Sequence, residues 1–272
     1  MVEKLKQVLK FLLLKKRNLV LKKIFYDHES FKSLFKKLRP INPGINFTRI
    51  GSLTDGGYLL PDDLIDIKYC YSPGVSDNSS FEEDLYKKYK IESFLCDNTI
   101  EKPNSKSKGL SFIKKHLTIE DSHNTIKLKS WLESFKFDND MIMQMDIEGH
   151  EYKIILDTDQ EILEKFRIII IEFHSFEEIF TYGGFKLIEF CFEKLLRTHS
   201  IVHIHPNNIV KPFKYKNIEI PVGLEITFLR NDRIKAKTFS KSFPHILDKP
   251  CLKQNFDFPL PEVFYNPEKI LK

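Results

Sequence analysis

Between residues 67 and 229 the chain carries short apolar runs that do not alternate with polar residues, separated by segments of helical periodicity. Arg167-Ile-Ile-Ile-Ile171 is the plainest of them. A strand with one face in water alternates, whereas a run without alternation is buried on both faces, and such strands belong to parallel sheets covered by helices. The runs predict strands at Ile67–Ser72, Ile91–Cys96, Ser111–Lys115, Met141–Met145 and Phe166–Phe173, with helices at Ser79–Lys90, Thr125–Phe135, Glu151–Leu156 and Phe185–Thr198. Strand–helix repetition of this kind requires right-handed crossovers and an open α/β sheet. Two further strands, Ile201–His205 and Leu224–Leu229, have no helix between them and predict an antiparallel hairpin at one edge. Trp131 shares a helical apolar face with Leu128, Leu132 and Phe135 and reads as core.

Charge divides the chain. Residues 1–39 hold 12 Lys/Arg against 3 Asp/Glu out of 43 against 38 overall, so the remainder carries 31 against 35. Leu5, Val8, Leu9 and Leu12 follow helical spacing among lysines, which predicts a basic amphipathic helical segment over 1–40. That segment either docks reversibly on an anionic membrane or a partner, or packs on the body with a solvated lysine face. Pro40 and Pro43-Gly44 end it, and the central domain is expected over 41–235. The tail, 236–272, carries five prolines and is expected to wrap that domain. The run Phe11–Leu14 is far short of the roughly 20 apolar residues of a membrane span. Four scattered cysteines lack any metal or disulfide spacing, so the expectation is a cytoplasmic protein, peripheral at most to the inner membrane surface. The basic stretch is mostly lysine, with arginine only at Arg17 and Arg39, and has no recognition motif, so no nucleic-acid partner is expected.

In an open parallel sheet, ligands sit beyond the carboxyl ends of the strands. Here those ends are polar: Gly74-Val-Ser76, Asp97-Asn-Thr99, Asp146-Ile-Glu-Gly-His150, Glu172-Phe-His174 and His203-Ile-His-Pro-Asn207. Gly74 allows a ligand close to the backbone, and the helix that follows offers unpaired N–H groups. Asp97 stands where an acid can accept two ribose hydroxyls, although a turn residue would look the same. Asp146, Glu148, His150 and Glu151 cluster where a buried strand emerges, with Glu148 and Glu151 also suited to open a short helix.

Arg49-Ile-Gly with Asp55-Gly-Gly-Tyr58, Tyr71-Ser-Pro-Gly-Val-Ser76 with Phe81-Glu82, Asp97-Asn-Thr99, Met145-Asp-Ile-Glu-Gly149 and Ile171-Glu-Phe-His174 together resemble the FkbM family of S-adenosylmethionine (SAM)-dependent methyltransferases over residues 47–230. The resemblance implies a Rossmann-like, class I methyltransferase fold with a mostly parallel seven-stranded sheet, and O-methylation of a sugar or glycan. It assigns SAM to Gly74, Val75 and Ser76 at the amino-acid end, and to Asp97 and Asn98 at the ribose. Asp55, Gly56 and Gly57 would cover the cofactor, with Phe81, Glu82 and Asp146 shaping the pocket. Two departures stand out: His150 follows Gly149 where a small residue belongs, and Ser72-Pro73 replaces a second glycine before Gly74.

Transfer of a methyl group to an alcohol needs the hydroxyl proton removed, by a base or beside a metal. His174 is the first choice as base, with Asp146, Glu148 and Glu172 orienting it. The competing arrangement is a divalent cation such as Mg²⁺ on Asp146, Glu172 and His174. His150, His203, His205 and Asn207 are expected to hold the acceptor. Two other readings stay open: a non-catalytic, methyltransferase-like binding or membrane-docking module, and a nucleotide-sugar glycosyltransferase with a metal-bound diphosphate at the Asp146 turn.

Overall fold

The computed structural model describes residues 23–135 and 140–270. Its centre is a seven-stranded sheet of β1 (Tyr69–Pro73), β2 (Glu92–Cys96), β3 (Leu110–Ile113), β4 (Met141–Met145), β5 (Phe166–Phe173), β6 (His199–Pro206) and β7 (Leu224–Arg230). The spatial order is β6-β7-β5-β4-β1-β2-β3. The pairs among β1 to β5 are parallel, while β7 runs antiparallel to both β5 and β6. This is the Rossmann-like, seven-stranded arrangement expected from the sequence, with the helix-free pair at its edge. Every residue of β4 and β5 is buried, which is why their sequences do not alternate.

Helices cover both faces: α1 (His28–Lys37), α2 (Ser80–Tyr89), α3 (Leu128–Ser134), α4 (Glu151–Asp157), α5 (Gln160–Leu163) and α6 (Tyr182–Leu195). One face buries Phe31, Leu34 and Phe35 of α1 with Trp131, Tyr71, Phe173, Phe192 and, from the tail, Phe264. The other collects Ile50, Tyr58, Phe81, Leu85, Ile142, Ile168 and Ile170 under the hairpin of Phe47–Gly51 and Gly57–Pro61.

The basic segment is described only in part. Asp27 caps α1 by accepting the Ser30 N–H, and the helix packs on the body. Lys36 pairs with Glu268, 3.1 Å away, and Lys37 with Glu193 at 2.7 Å. The apolar positions Leu5, Val8, Leu9 and Leu12, on which the expectation of membrane or partner docking rests, lie outside the described residues. Among the described residues no helix is long and apolar enough to cross a membrane.

The order runs 3-2-1 in one direction and 4-5 in the other, so the winding reverses between β1 and β4. A crevice opens there at the carboxyl ends. Gly74 closes that junction: its N–H bonds to the Cys96 carbonyl, the Asp146 N–H bonds to the Pro73 carbonyl, and a Cβ at Gly74 would fall 1.6 Å from the Asp146 carbonyl oxygen. With φ of +83° as well, only glycine fits.

Candidate functional site

After β1 the chain turns sharply through Gly74–Asn78, with Ser76 also in the left-handed region at φ 47°. Asp97, at the end of β2, braces that loop: its carboxylate accepts the Ser76 N–H at 2.9 Å and the Thr99 N–H and hydroxyl at 2.7 and 2.6 Å. Above the loop lies Asp55-Gly56. The Asn78 amide donates to the Asp55 carbonyl (2.9 Å) and the Ser80 hydroxyl to the Gly56 carbonyl (3.3 Å). The tail steadies this cover, because the Cys251 carbonyl accepts the Asp55 N–H. Between loop and cover is a cavity of about 140 Å³ lined by Asp55, Gly56, Tyr58, the Gly74–Asn78 loop, Phe81, Glu82, Gln144 and Asp146.

A second cavity, of about 350 Å³, is lined by Asp55, Asp146, Glu148, Glu172, His174, Asn207, Ile209, Val210, Val222 and Gly223. Asp55 and Asp146 belong to both, so the two spaces meet at these carboxylates.

His174 stands among acids. Its Nδ1 lies 3.0 Å from Oε1 of Glu151, and its Nε2 lies 3.5 Å from Glu148, 3.7 Å from Asp146 and 3.8 Å from Glu172. Glu151 is fully buried and the same oxygen also accepts the Ile147 and Gly149 N–H groups, which fixes it against the turn. Burial works against a charged His174 ring, but the Glu151 hydrogen bond and the surrounding carboxylates outweigh it and push the ring up to about 9. Asp146 is pushed up to about 7, mainly by burial; His174 opposes this, and Glu148 and Asp55 add to it. Glu172 is raised well above the carboxylate range by burial and by the neighbouring acids Asp146 and Glu225. Buried carboxyls here outnumber the one imidazole, which is why Asp146 and Glu172 are held toward their protonated forms; a cationic ligand would favour the ionised forms.

Three of these groups, Asp146, Glu148 and His174, each offer a ligand atom within 4.8 Å of one another. Glu172 is turned to Asn207, whose amide donates to it at 2.5 Å.

Of the residues expected at a cofactor, Asp55, Gly56, Gly74, Val75, Ser76, Phe81, Glu82 and Asp146 line the smaller cavity. Gly57, Asp97 and Asn98 do not; Gly57 is packed against the Ser52 carbonyl. Of those expected at an acceptor, Asn207 lines the larger cavity. His150 is exposed at the start of α4 and lines neither. His203 and His205 do share one side of β6, but that side faces the tail. His203 pairs with Asp248 at 2.9 Å, and His205 with Glu225 at 3.3 Å and Asp257 at 3.2 Å.

Sequence reasoning did not single out Tyr58 or Gln144 as site residues, and it put Glu151 in the acidic cluster without a partner. Gln144 left a trace, as the one polar residue in Met-Ile-Met-Gln-Met. Its amide donates to the Tyr58 hydroxyl at 3.0 Å.

A family model described as a methyltransferase FkbM domain matches residues 33–200. No curated protein matches the chain in sequence. Among solved structures it is similar to the precorrin-6y C5,15-methyltransferase of Geobacter metallireducens GS-15, at 8% identity over 78% of this chain and 94% of that one, TM-score 0.34. It is also similar to the spermidine synthase of Thermotoga maritima, at 12% identity over 65% of this chain and 61% of that one, TM-score 0.35.

Proposed function

This chain belongs to the FkbM methyltransferase family, and from that premise we propose that it moves the methyl group of SAM to a hydroxyl oxygen of a sugar or glycan. The carrying observation is that the smaller cavity, under the Gly74 loop, and the larger one meet at Asp55 and Asp146. A donor in the first can present its sulfonium to an acceptor in the second.

Methyl transfer is an in-line displacement, and alignment of donor and nucleophile supplies much of the acceleration. The larger cavity, at the lower end of the roughly 300–1,000 Å³ usual for small-molecule sites, offers Glu172, Asn207 and His174 to a polyhydroxyl acceptor. As the oxygen–carbon bond forms and the carbon–sulfur bond breaks, the hydroxyl proton passes to Nε2 of His174. Nδ1 keeps its own proton on Glu151. To act as a base the ring must first be neutral, and the donor makes it so. The sulfonium brings a positive charge to the carboxylates that otherwise hold the imidazolium, which releases the Nε2 proton to solvent before the acceptor reacts.

A second reading places a divalent cation on Asp146, Glu148 and His174, supported by their mutual spacing. An oxygen-rich set of this kind suits Mg²⁺. It requires the same Nε2 lone pair, so base and metal are exclusive roles for His174. Activity unchanged by a chelator favours the base; activity restored only by added Mg²⁺ favours the metal.

The test of the main reading is transfer of labelled methyl from SAM to a panel of saccharides, with a gain of one methyl mass. Asp97→Ala should abolish donor binding, and His174→Ala should spare binding and remove turnover. Full turnover in both variants defeats the assignment.

A further inference from the structure

The larger cavity has a lining of two kinds. Acids, Asn207 and His174 make one part of it, and Ile209, Val210 and Val222 make the other. Ile209 and Val210 do not stop inside: each is 51% exposed, so the apolar lining continues onto the surface at the mouth. Two more large apolar side chains stand out on neighbouring loops. Leu53, two residues before Asp55, is 66% exposed, and Phe256 of the tail is 71% exposed.

Hydrogen bonds join these loops into one rim. Asn208 accepts the Leu252 N–H at 2.8 Å and donates its amide to the Leu252 carbonyl at 2.9 Å. The Asn255 amide donates to the Asn208 carbonyl at 2.8 Å. The Asp55 N–H, on the Cys251 carbonyl, ties in the third loop.

The rim is basic. Residues 208–217 carry Lys211, Lys214 and Lys216 without an acid, and residues 249–256 carry Lys249 and Lys253 without one. Lys211, Lys214 and Lys253 are exposed. Glu219, next to Ile220 in the strand that pairs with Phe213–Tyr215, lies opposite Lys214 and is the single acid of that hairpin. A second basic stretch reaches the same hairpin. Residues 1–22 hold 7 Lys/Arg against 1 acid, and just after them the Tyr26 ring lies 5.9 Å from that of Tyr215, with the Lys216 ammonium 4.4 Å over it. A protein partner takes an apolar centre with charge kept to its margin. Here apolar and basic side chains alternate along one loop, Ile209-Val-Lys-Pro-Phe-Lys214. That mixture suits an anionic lipid surface, where apolar chains enter the interface and ammoniums meet the headgroups.

We propose that the rim of the larger cavity docks on an anionic bilayer, with Ile209, Val210 and Phe256 in the interface and Lys211, Lys214 and Lys253 on lipid headgroups. Resting on the reading of that cavity as the acceptor site, this makes the acceptor a saccharide anchored in the same membrane. Its anchor stays in the bilayer while its hydroxyl reaches His174.

The experiment titrates the full-length protein with vesicles of phosphatidylcholine alone and of phosphatidylcholine with phosphatidylglycerol. Binding is expected to the second kind. Replacing Lys211→Gln, Lys214→Gln and Lys253→Gln together should weaken it roughly 100-fold, about fivefold for each lysine. The urea midpoint and methyl transfer to a soluble saccharide should stay at their wild-type values. In Phe256→Trp the new indole should shift its emission to the blue on vesicles and be quenched by brominated lipid, against a constant signal from the buried Trp131. Binding undiminished in the triple variant, or an unquenched indole, overturns docking through this rim. Self-association that the same substitutions remove, with no vesicle binding, overturns it in favour of a second copy of the chain. Transfer to soluble saccharides without vesicle binding overturns the docking alone. Vesicle binding lost in the triple variant, with no transfer to any soluble or lipid-linked saccharide, keeps the docking and overturns the acceptor reading.

Discussion

Glu151 holds His174 from behind: a fully buried carboxylate 3.0 Å from Nδ1, itself anchored by two backbone N–H groups of the Asp146 turn. That bond fixes which nitrogen is left for the larger cavity. Glu151→Gln keeps an oxygen for Nδ1 but removes the charge. Steady-state kinetics should show turnover lowered at least roughly tenfold, with the donor's Kd unchanged and the pH profile displaced to lower pH. An unchanged pH profile would mean that Glu151 only supports the turn.

Gly74 tests the junction between β1 and β4. A methyl group there meets the Asp146 carbonyl oxygen at 1.6 Å with φ held at +83°. Gly74→Ala should cost at least ~2 kcal/mol in urea unfolding and abolish binding of S-adenosylhomocysteine.

The acid cluster makes the ligand-free protein less stable as pH rises. His174 has its folded value raised to about 9, so its contribution is complete below the ordinary histidine value of 6.5 and is lost as pH climbs through 9. Asp146 is an acid raised from 3.8 to about 7, so the folded state keeps a proton that the unfolded chain has released, and its contribution fades as pH climbs through 7. Both act in one direction. The urea midpoint should fall steadily from pH 6 to 9, and Asp146→Asn and His174→Ala should each flatten the slope.

The tail is clamped by charge. His205, 2% exposed, lies between Glu225 and Asp257, and the Cys251 carbonyl on the same strap accepts the N–H of Asp55 above the smaller cavity. Those carboxylates push His205 up to about 10 against the effect of burial. His205→Leu leaves two acids without their cation and should lower stability by roughly 3 kcal/mol in thermal or urea unfolding.

How much of this was legible follows from which contacts are local. β4 and β5 were predicted at Met141–Met145 and Phe166–Phe173 and form over those residues, because strands buried on both faces leave uninterrupted apolar runs. Helix α3 begins at Leu128 and not at Thr125, because Thr125–Ile126 pair with His116–Leu117. Helix α6 begins at Tyr182, three residues before Phe185, because Thr181 caps it by accepting the Gly184 N–H. The cavity-lining glycine, acids and Asn207 showed themselves as polar residues at strand ends. What stayed hidden needed partners far along the chain. His203 and His205 meet carboxylates more than 40 residues later, and Gln144 matters because Tyr58, 86 residues earlier, accepts its amide.

The central claim is that Asp146 stands between donor and acceptor, and a crystal structure with S-adenosylhomocysteine tests it most directly. The account predicts the amino-acid arm under Asp55-Gly56 beside Glu82, the ribose at Asp97, and the sulfur turned toward Asp146 and His174. A ligand bound elsewhere, or one whose sulfur faces away from the cavity holding His174, would contradict it.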